Sequence, residues 1–288
     1  MVIWMNRLST ISVCIVCWNH LYLTKETINS ISISMDVPHE VLILDNDSTD
    51  GSKEWLDGFA EDILKNNTNF LGLTIIKAPS NRFISGGQNT LFLLACGKYL
   101  MFSASDILWP KDFASFAVKQ LQEHPEYGVV SPFPVENNDW FSCEKFYSIY
   151  DKIPKMDEKT IDWHSSVAFI GTRECFDKVG PLDEKLNNHG MDNDFGSRAV
   201  FCGFHPTAFK NYIALHHFGS LTRKSIPNEK DVAEQDSIYF RSKWGIEPGG
   251  KIEHIEKRYI DLANKGNYIS EEQKNYEIVW PKIIAQGV

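Results

Sequence analysis

The chain has 288 residues, enough for one large domain or two small ones, and its 43% hydrophobic content supports a sizeable core. A formal net charge of -9 argues against a general nucleic-acid binder, which carries a basic face, while leaving room for a local basic groove. No apolar run approaches the ~20 residues a membrane helix needs, and the start of the chain lacks a signal-peptide pattern. The expectation is a cytoplasmic protein, soluble or peripherally membrane-associated.

In chain order, the apolar, β-branched run Ile11–Cys17 predicts a first strand, and Trp18-Asn19-His20 the turn after it. Cys14 and Cys17 have zinc-knuckle spacing, but residues three apart on a strand point to opposite faces and cannot chelate one metal. The six cysteines therefore read as reduced thiols. Thr24 reads as an N-cap for a short helix over Lys25–Ile33. Val41–Leu44 is a second strand that ends abruptly in Asp45, with turn formers through Ser52 and a helix pattern over Lys53–Lys65. That places a carboxylate at a sheet edge, where open α/β sheets bind ligands.

Leu73–Lys77 follows as a third strand, Asn81–Gly87 as a glycine-bearing loop, Asn89–Cys96 as a helix and Tyr99–Phe102 as a fourth strand. Strand–helix alternation with short connections implies a mostly parallel, Rossmann-like central sheet with helices on both faces. The rest is less regular. A helix is expected over Lys111–Glu123, a strand over Tyr127–Ser131, and loops or irregular strands over Asn137–Lys159. Ser165–Gly171 and Tyr212–His216 read as strands, and Arg173–Val179, Asp192–Cys202 and Glu229–Lys243 as helices. Residues 246–288 are charged and weakly patterned, and read as a C-terminal helical extension.

Eight separated segments together resemble family 2 glycosyltransferases. They are ISVCIVCWN (Ile11–Asn19), Val41–Ser52, NRFISGGQN (Asn81–Asn89), KYLMFSASD (Lys98–Asp106), GTRECFDKVGPLDE (Gly171–Glu184), MDNDFGSRAVFCG (Met191–Gly203), HHFGSLT (His216–Thr222) and FRSKWG (Phe240–Gly245). The resemblance implies an α/β GT-A fold over residues 1–245, with a nucleotide-binding half at 9–106 and an acceptor-binding, catalytic half at 107–245. It also implies an inverting transfer of sugar from a nucleotide-diphosphate sugar, UDP-linked by family habit, to an acceptor hydroxyl.

The resemblance assigns Asp45 to the uracil or ribose of the donor, and a carboxylate suits that role because it accepts hydrogen bonds from ring N–H and ribose hydroxyls. Asn19 either meets the base or holds the neighbouring loop. Arg82, Gly86, Gly87 and Asn89 are expected at the donor: adjacent glycines permit close backbone approach, an arginine neutralises phosphate, and a helix start favours anions. The family's Asp-x-Asp metal motif aligns with Ala104-Ser105-Asp106, so only the second carboxylate survives. Ser105 is assigned to the donor and Asp106 to a divalent metal. His217, with His216 as the runner-up, is the expected second ligand, and its imidazole favours Mn²⁺ over Mg²⁺.

Asp192 is the expected catalytic base, taking the acceptor proton. Met191 stands where the family usually carries a first acid. Asp194 is placed in the acceptor region or as an orienting group. Trp163 either stacks on a sugar or packs in the core, and Trp244 reads as core. The acceptor is a glycan or another hydroxyl compound, and a nucleic-acid acceptor is disfavoured by the net charge. A nucleotide-sugar-binding protein with weak or lost catalysis is the alternative, favoured by Ala104. A nicotinamide oxidoreductase is set aside because no G-x-G-x-x-G follows a strand.

Overall fold

The computed structural model describes residues 11–139, 141–153, 160–162, 167–187, 189–217, 225–245 and 248. Trp163 and, apart from Pro248, the expected extension over 246–288 lie outside the described residues. Among the described residues nine strands form one sheet: β1 (Ile11–Cys17), β2 (His39–Asp45), β3 (Phe70–Lys77), β4 (Tyr99–Ala104), β5 (Ile107–Leu108), β6 (Val129–Glu136), β7 (Thr160–Asp162), β8 (Ala168–Thr172) and β9 (Thr207–His216). The order is β3-β2-β1-β4-β8-β6-β9-β5, with β7 on β9. The ladders joining β3, β2, β1 and β4 are parallel, as is β6–β9, while β4–β8, β6–β8, β5–β9 and β7–β9 are antiparallel.

The helices among the described residues are α1 (Leu21–Ser34), α2 (Ser52–Leu64), α3 (Phe83–Leu94), α4 (Phe113–Glu123), α5 (Cys143–Tyr150), α6 (Arg173–Val179), α7 (Met191–Phe201) and α8 (Glu229–Trp244). All seven residues of β1 are buried, and they alternate between two cores. Val13, Ile15 and Cys17 face the core of α1, α2 and α4. Cys14 and Val16 face the core of α3, α6, α7 and α8. The two cysteines do point to opposite faces, as the period of two requires, and burial pushes both thiols up. A smaller core under α5 joins Phe146 to Leu23, Leu108 and Leu215.

Two helix starts differ from the local reading. Thr24 is not a cap: it is buried within α1, which begins after His20 in the left-handed conformation. Asp50, from the loop after β2, accepts the Leu21 N–H at 2.9 Å, so a distant carboxylate supplies the partner for this helix end. Likewise α3 begins at Phe83, which makes Gly86 and Gly87 helical rather than part of a loop. The helix α5 fills a stretch expected to be irregular. Ser142 caps it by accepting the Lys145 N–H at 3.2 Å, and the Glu26 carboxylate of α1 accepts the Cys143 N–H at 2.6 Å.

Gly87 is where α3 packs closest on the sheet. A Cβ there would lie 2.8 and 2.9 Å from the two methyls of Val16. Val16 is β-branched and stiff, so neither side yields cheaply. Gly87→Ala should therefore destabilise the fold by about 1–3 kcal/mol, read as a lower denaturation midpoint with an unchanged denaturant slope.

Candidate active site

The chain runs outward from β1 through β2 to β3, then returns to β4 on the other side of β1. The carboxyl ends of β1 and β4 therefore flank a topological switch point, where a crevice opens. The cleft found there has about 800 Å³ of open space, mouth included. Trp18 lines it from the end of β1, Asn46 from the end of β2, and Ala104, Ser105 and Asp106 from the end of β4. Phe83 and Ile84 reach it from the start of α3, Met191 from the start of α7 and His216 from the end of β9.

Asp106 and His216 meet because β5 and β9 are paired in a register that sets Ile107 opposite His216. The His216 Nε2 lies 3.6 Å from Asp106 Oδ2. On its other side the parallel β6–β9 register sets Glu136 opposite His216, and Glu136 Oε1 lies 3.4 Å from Nδ1. Burial disfavours charge on this imidazole, but the neighbouring carboxylates of Asp106 and Glu136 outweigh it and raise its pKa. His217, the residue favoured from sequence, points elsewhere. Its Nε2 is 3.0 Å from the Tyr22 hydroxyl, and its ring packs edge-on against Phe141. Consecutive residues leaving a strand face opposite sides, and of the two histidines His216 is the one that lines the cleft with Asp106 among the described residues.

A carboxylate oxygen and an imidazole nitrogen at this separation suit a divalent cation such as Mn²⁺. Among the described residues no group of three His, Cys, Asp or Glu forms a cation site. A cation held here would take its remaining ligands from the diphosphate and water. Asp106→Ala and His216→Ala should each reduce the Mn²⁺ dependence of nucleotide binding by an order of magnitude or more, on the scale of lost metal-site groups. His217→Ala should leave that dependence unchanged, and titration calorimetry with UDP, with and without Mn²⁺, checks all three.

The residues expected at the nucleotide separate into two groups. Asp45 is fully buried at the end of β2. Its Oδ2 accepts the Ser48 N–H at 3.3 Å, while Oδ1 is buried with no hydrogen-bond partner among the described residues. Asn19 holds the neighbouring loop: its Oδ1 accepts the Thr49 N–H at 2.8 Å, and its own N–H donates to Ser48 Oγ at 2.8 Å.

The Arg82 side chain lies back along α3, donating to Thr90 Oγ1 at 2.7 Å with Glu184 at 3.8 Å. Gly86 faces Arg82 and Glu184, and Gly87 faces Val16, so the space a Cβ would take at each is filled by packing. Asn89 is held by protein partners. Its amide donates to the Leu182 carbonyl and to Glu184, and accepts the Leu182 N–H at 2.8 Å, tying α3 to the turn before α7. The cleft uses a pair that sequence reasoning missed: Asn46 donates to Asn81 Oδ1 at 2.8 Å and accepts the Arg82 N–H at 2.8 Å. Two asparagines flanking consecutive strand ends were the available signal.

Asp192 occupies the first turn of α7, beside Met191 on the cleft wall, and is 7% exposed. Asp194 packs inward, away from solvent. It is fully buried, with Arg198 Nε at 2.8 Å, Lys243 Nζ at 2.8 Å and the Trp244 indole N–H at 2.9 Å. Trp244 is core, as expected, at 3% exposure.

A doubly wound parallel half with its cleft at the switch point, closed by a mixed half that brings the start of α7 and a strand-end histidine to the same cleft, is the GT-A architecture of nucleotide-sugar glycosyltransferases. The chain belongs to glycosyl transferase family 2: the family's sequence profile matches residues 12–181. Among curated proteins none matches the sequence. Solved structures share the fold. GalNAc-T7 with UDP, GalNAc and Mn²⁺ has a TM-score of 0.60 at 16% identity, over 89% of this chain and 55% of that one. S. aureus TarS 1-349 in complex with UDP-GlcNAc has 0.57 at 17% identity, over 81% and 66%. The mannosyltransferase PcManGT from Pyrobaculum calidifontis, in complex with GDP-Man and Mn²⁺, has 0.55 at 16%, over 94% and 79%. Among the described residues no helix is long and apolar enough to cross a membrane.

Proposed function

We propose that this glycosyltransferase moves a sugar from a nucleotide-diphosphate sugar, UDP-linked by preference, to an acceptor hydroxyl with inversion. The observation that supports the reading most is the convergence on one cleft of Asp106 and His216 from the strands with Met191, the chain neighbour of Asp192, from the start of α7. The Asp45 Oδ1, buried with no hydrogen-bond partner among the described residues, supports a donor base nearby, because a buried acceptor without a partner costs about 1–3 kcal/mol until a donor arrives.

In this reading the acceptor oxygen attacks the anomeric carbon, the bond from that carbon to the diphosphate oxygen breaks, and Asp192 takes the hydroxyl proton. One base on the face opposite the leaving group gives inversion. A glycosidase would instead need a second, protonated carboxyl flanking the bond. A divalent cation held by Asp106 and His216, Mn²⁺ by preference, supplies positive charge for the departing diphosphate. The acceptor is a glycan or another hydroxyl compound, and the acidic net charge disfavours DNA or RNA.

A donor screen that reads released nucleoside diphosphate, with and without Mn²⁺, tests the reading. Metal-dependent release with one donor is the expected result. Ala104 at the first position of the metal motif favours a second reading, a nucleotide-sugar-binding protein. Tight, metal-independent UDP binding with no turnover of any donor would establish that reading instead.

A further inference from the structure

The helix α8 lies beyond the residues matched by the family profile, and no catalytic part falls to it in the reading above. Its buried residues are Asp236, Phe240, Lys243 and Trp244. The spacing of four, three and one puts them on a single stripe of the helix. Two of the four are charged, which is costly unless each charge is paired. Every one of them meets the segment that carries Asp192 or the turn leading into it.

The contacts run along that segment in order. The Asp236 carboxylate accepts the Asn187 N–H at 3.1 Å through Oδ1 and the His189 N–H at 3.0 Å through Oδ2. The Phe240 ring covers Gly190, whose backbone is left-handed at φ 76°, and a Cβ there would lie 2.9 Å from that ring. Lys243 Nζ and the Trp244 indole N–H both reach Asp194 Oδ1, at 2.8 and 2.9 Å. Lys243 also bonds Asp183 at 2.9 Å, and Tyr239 donates to the same carboxylate at 2.8 Å. Thus the chain is gripped at 187, 189 and 190 before Asp192 and at 194 after it.

We propose that α8 is a brace that sets the position of Asp192 for proton transfer, with Asp236 and Lys243 as positioning residues. This rests on the reading of Asp192 as the base. A hydrogen-bonded carboxylate and a buried ammonium fix two points of one helical turn more sharply than apolar packing alone, because hydrogen bonds are directional. A shift of about 1 Å in a reacting group is enough to cost on the order of 10²-fold in rate.

The experiment compares Asp236→Ala, the milder Asp236→Asn, Asp192→Asn, and the double variant Asp192→Asn with Asp236→Ala. Each is assayed for transfer and for UDP binding below its own melting transition. A positioning role lowers kcat of Asp236→Ala by about 10- to 100-fold while donor KM and UDP affinity stay within about twofold. Asp236→Asn, which keeps one acceptor oxygen, recovers part of that loss. In the double variant the Asp236 change adds nothing to the Asp192 loss, since a residue acting through a base has no effect once the base is gone. A folded Asp236→Ala or Asp236→Asn protein with unchanged kcat overturns the brace. So does a loss that adds in full to Asp192→Asn. If Asp192→Asn itself keeps activity, the base assignment fails first, and a kcat loss in the Asp236 variants then points to another group on the braced turn.

Discussion

Replacing Asp192 by Asn is expected to lower sugar transfer by about 10²- to 10⁴-fold, the range of a lost general base. UDP affinity should stay near the wild-type value, because the substitution leaves the strand-end residues Ser105, Asp106 and His216 and the Asn46–Asn81 pair untouched. Asparagine keeps the volume and accepts at its carbonyl oxygen, but it takes no proton at neutral pH. The loss should therefore appear in kcat rather than in donor KM. Single-turnover transfer and UDP titration on the same preparation measure the two quantities. Full activity in the variant would remove Asp192 from the mechanism and leave the cleft with a different base to find.

Asp194, two residues further on, should behave in the opposite way. Asp194→Asn leaves two buried cations, Arg198 and Lys243, without the carboxylate between them. Removing one member of a buried ionic group costs roughly 3–5 kcal/mol, and each kcal/mol lowers Tm by about 2–4 °C in a chain of this size. The effect depends on pH with a definite sign. Burial by itself would raise the Asp194 carboxyl, but Arg198, Lys243 and the hydrogen bonds from Lys243 and Trp244 hold it below its ordinary 3.8. A carboxyl held lower in the fold than in the unfolded chain stabilises the fold above its unfolded value. That stabilisation is lost as the pH falls through the folded value. The stability gap between wild type and Asp194→Asn should be constant above about pH 4 and shrink below it, as followed by denaturant unfolding across pH. A gap that widens in acid would contradict the ionised state of Asp194.

The two aspartates look alike in the run Met191-Asp192-Asn193-Asp194, and nothing local separates them. Their roles diverge because a helix turns about 100° per residue, so positions two apart face different surroundings. One lies beside the cleft wall and the other meets α8. The same limit explains His216 and His217. Adjacent histidines at a strand end must face opposite sides, but which one faces Asp106 depends on the β5–β9 register, a pairing across more than a hundred residues of chain. Gly86 and Gly87 suggested close approach of backbone to something; only the packing of α3 on β1 identifies that something as Val16.

What the sequence determined by itself was whatever has a local period or a local end. The apolar run of β1 and the helix α6 fall where pattern placed them, residue for residue, and the acid at the end of β2 lies at the expected sheet edge. Alternating strands and helices were enough to imply the parallel half of the sheet, because burial of one face imposes a repeat that the sequence records. Tertiary structure alone decided which side chains share the cleft, that Asn89 and Asp194 serve the scaffold, and that α8 grips the turn bearing Asp192. Those outcomes depend on strand register and on which helix faces pack, and both are set by contacts between residues far apart in the chain.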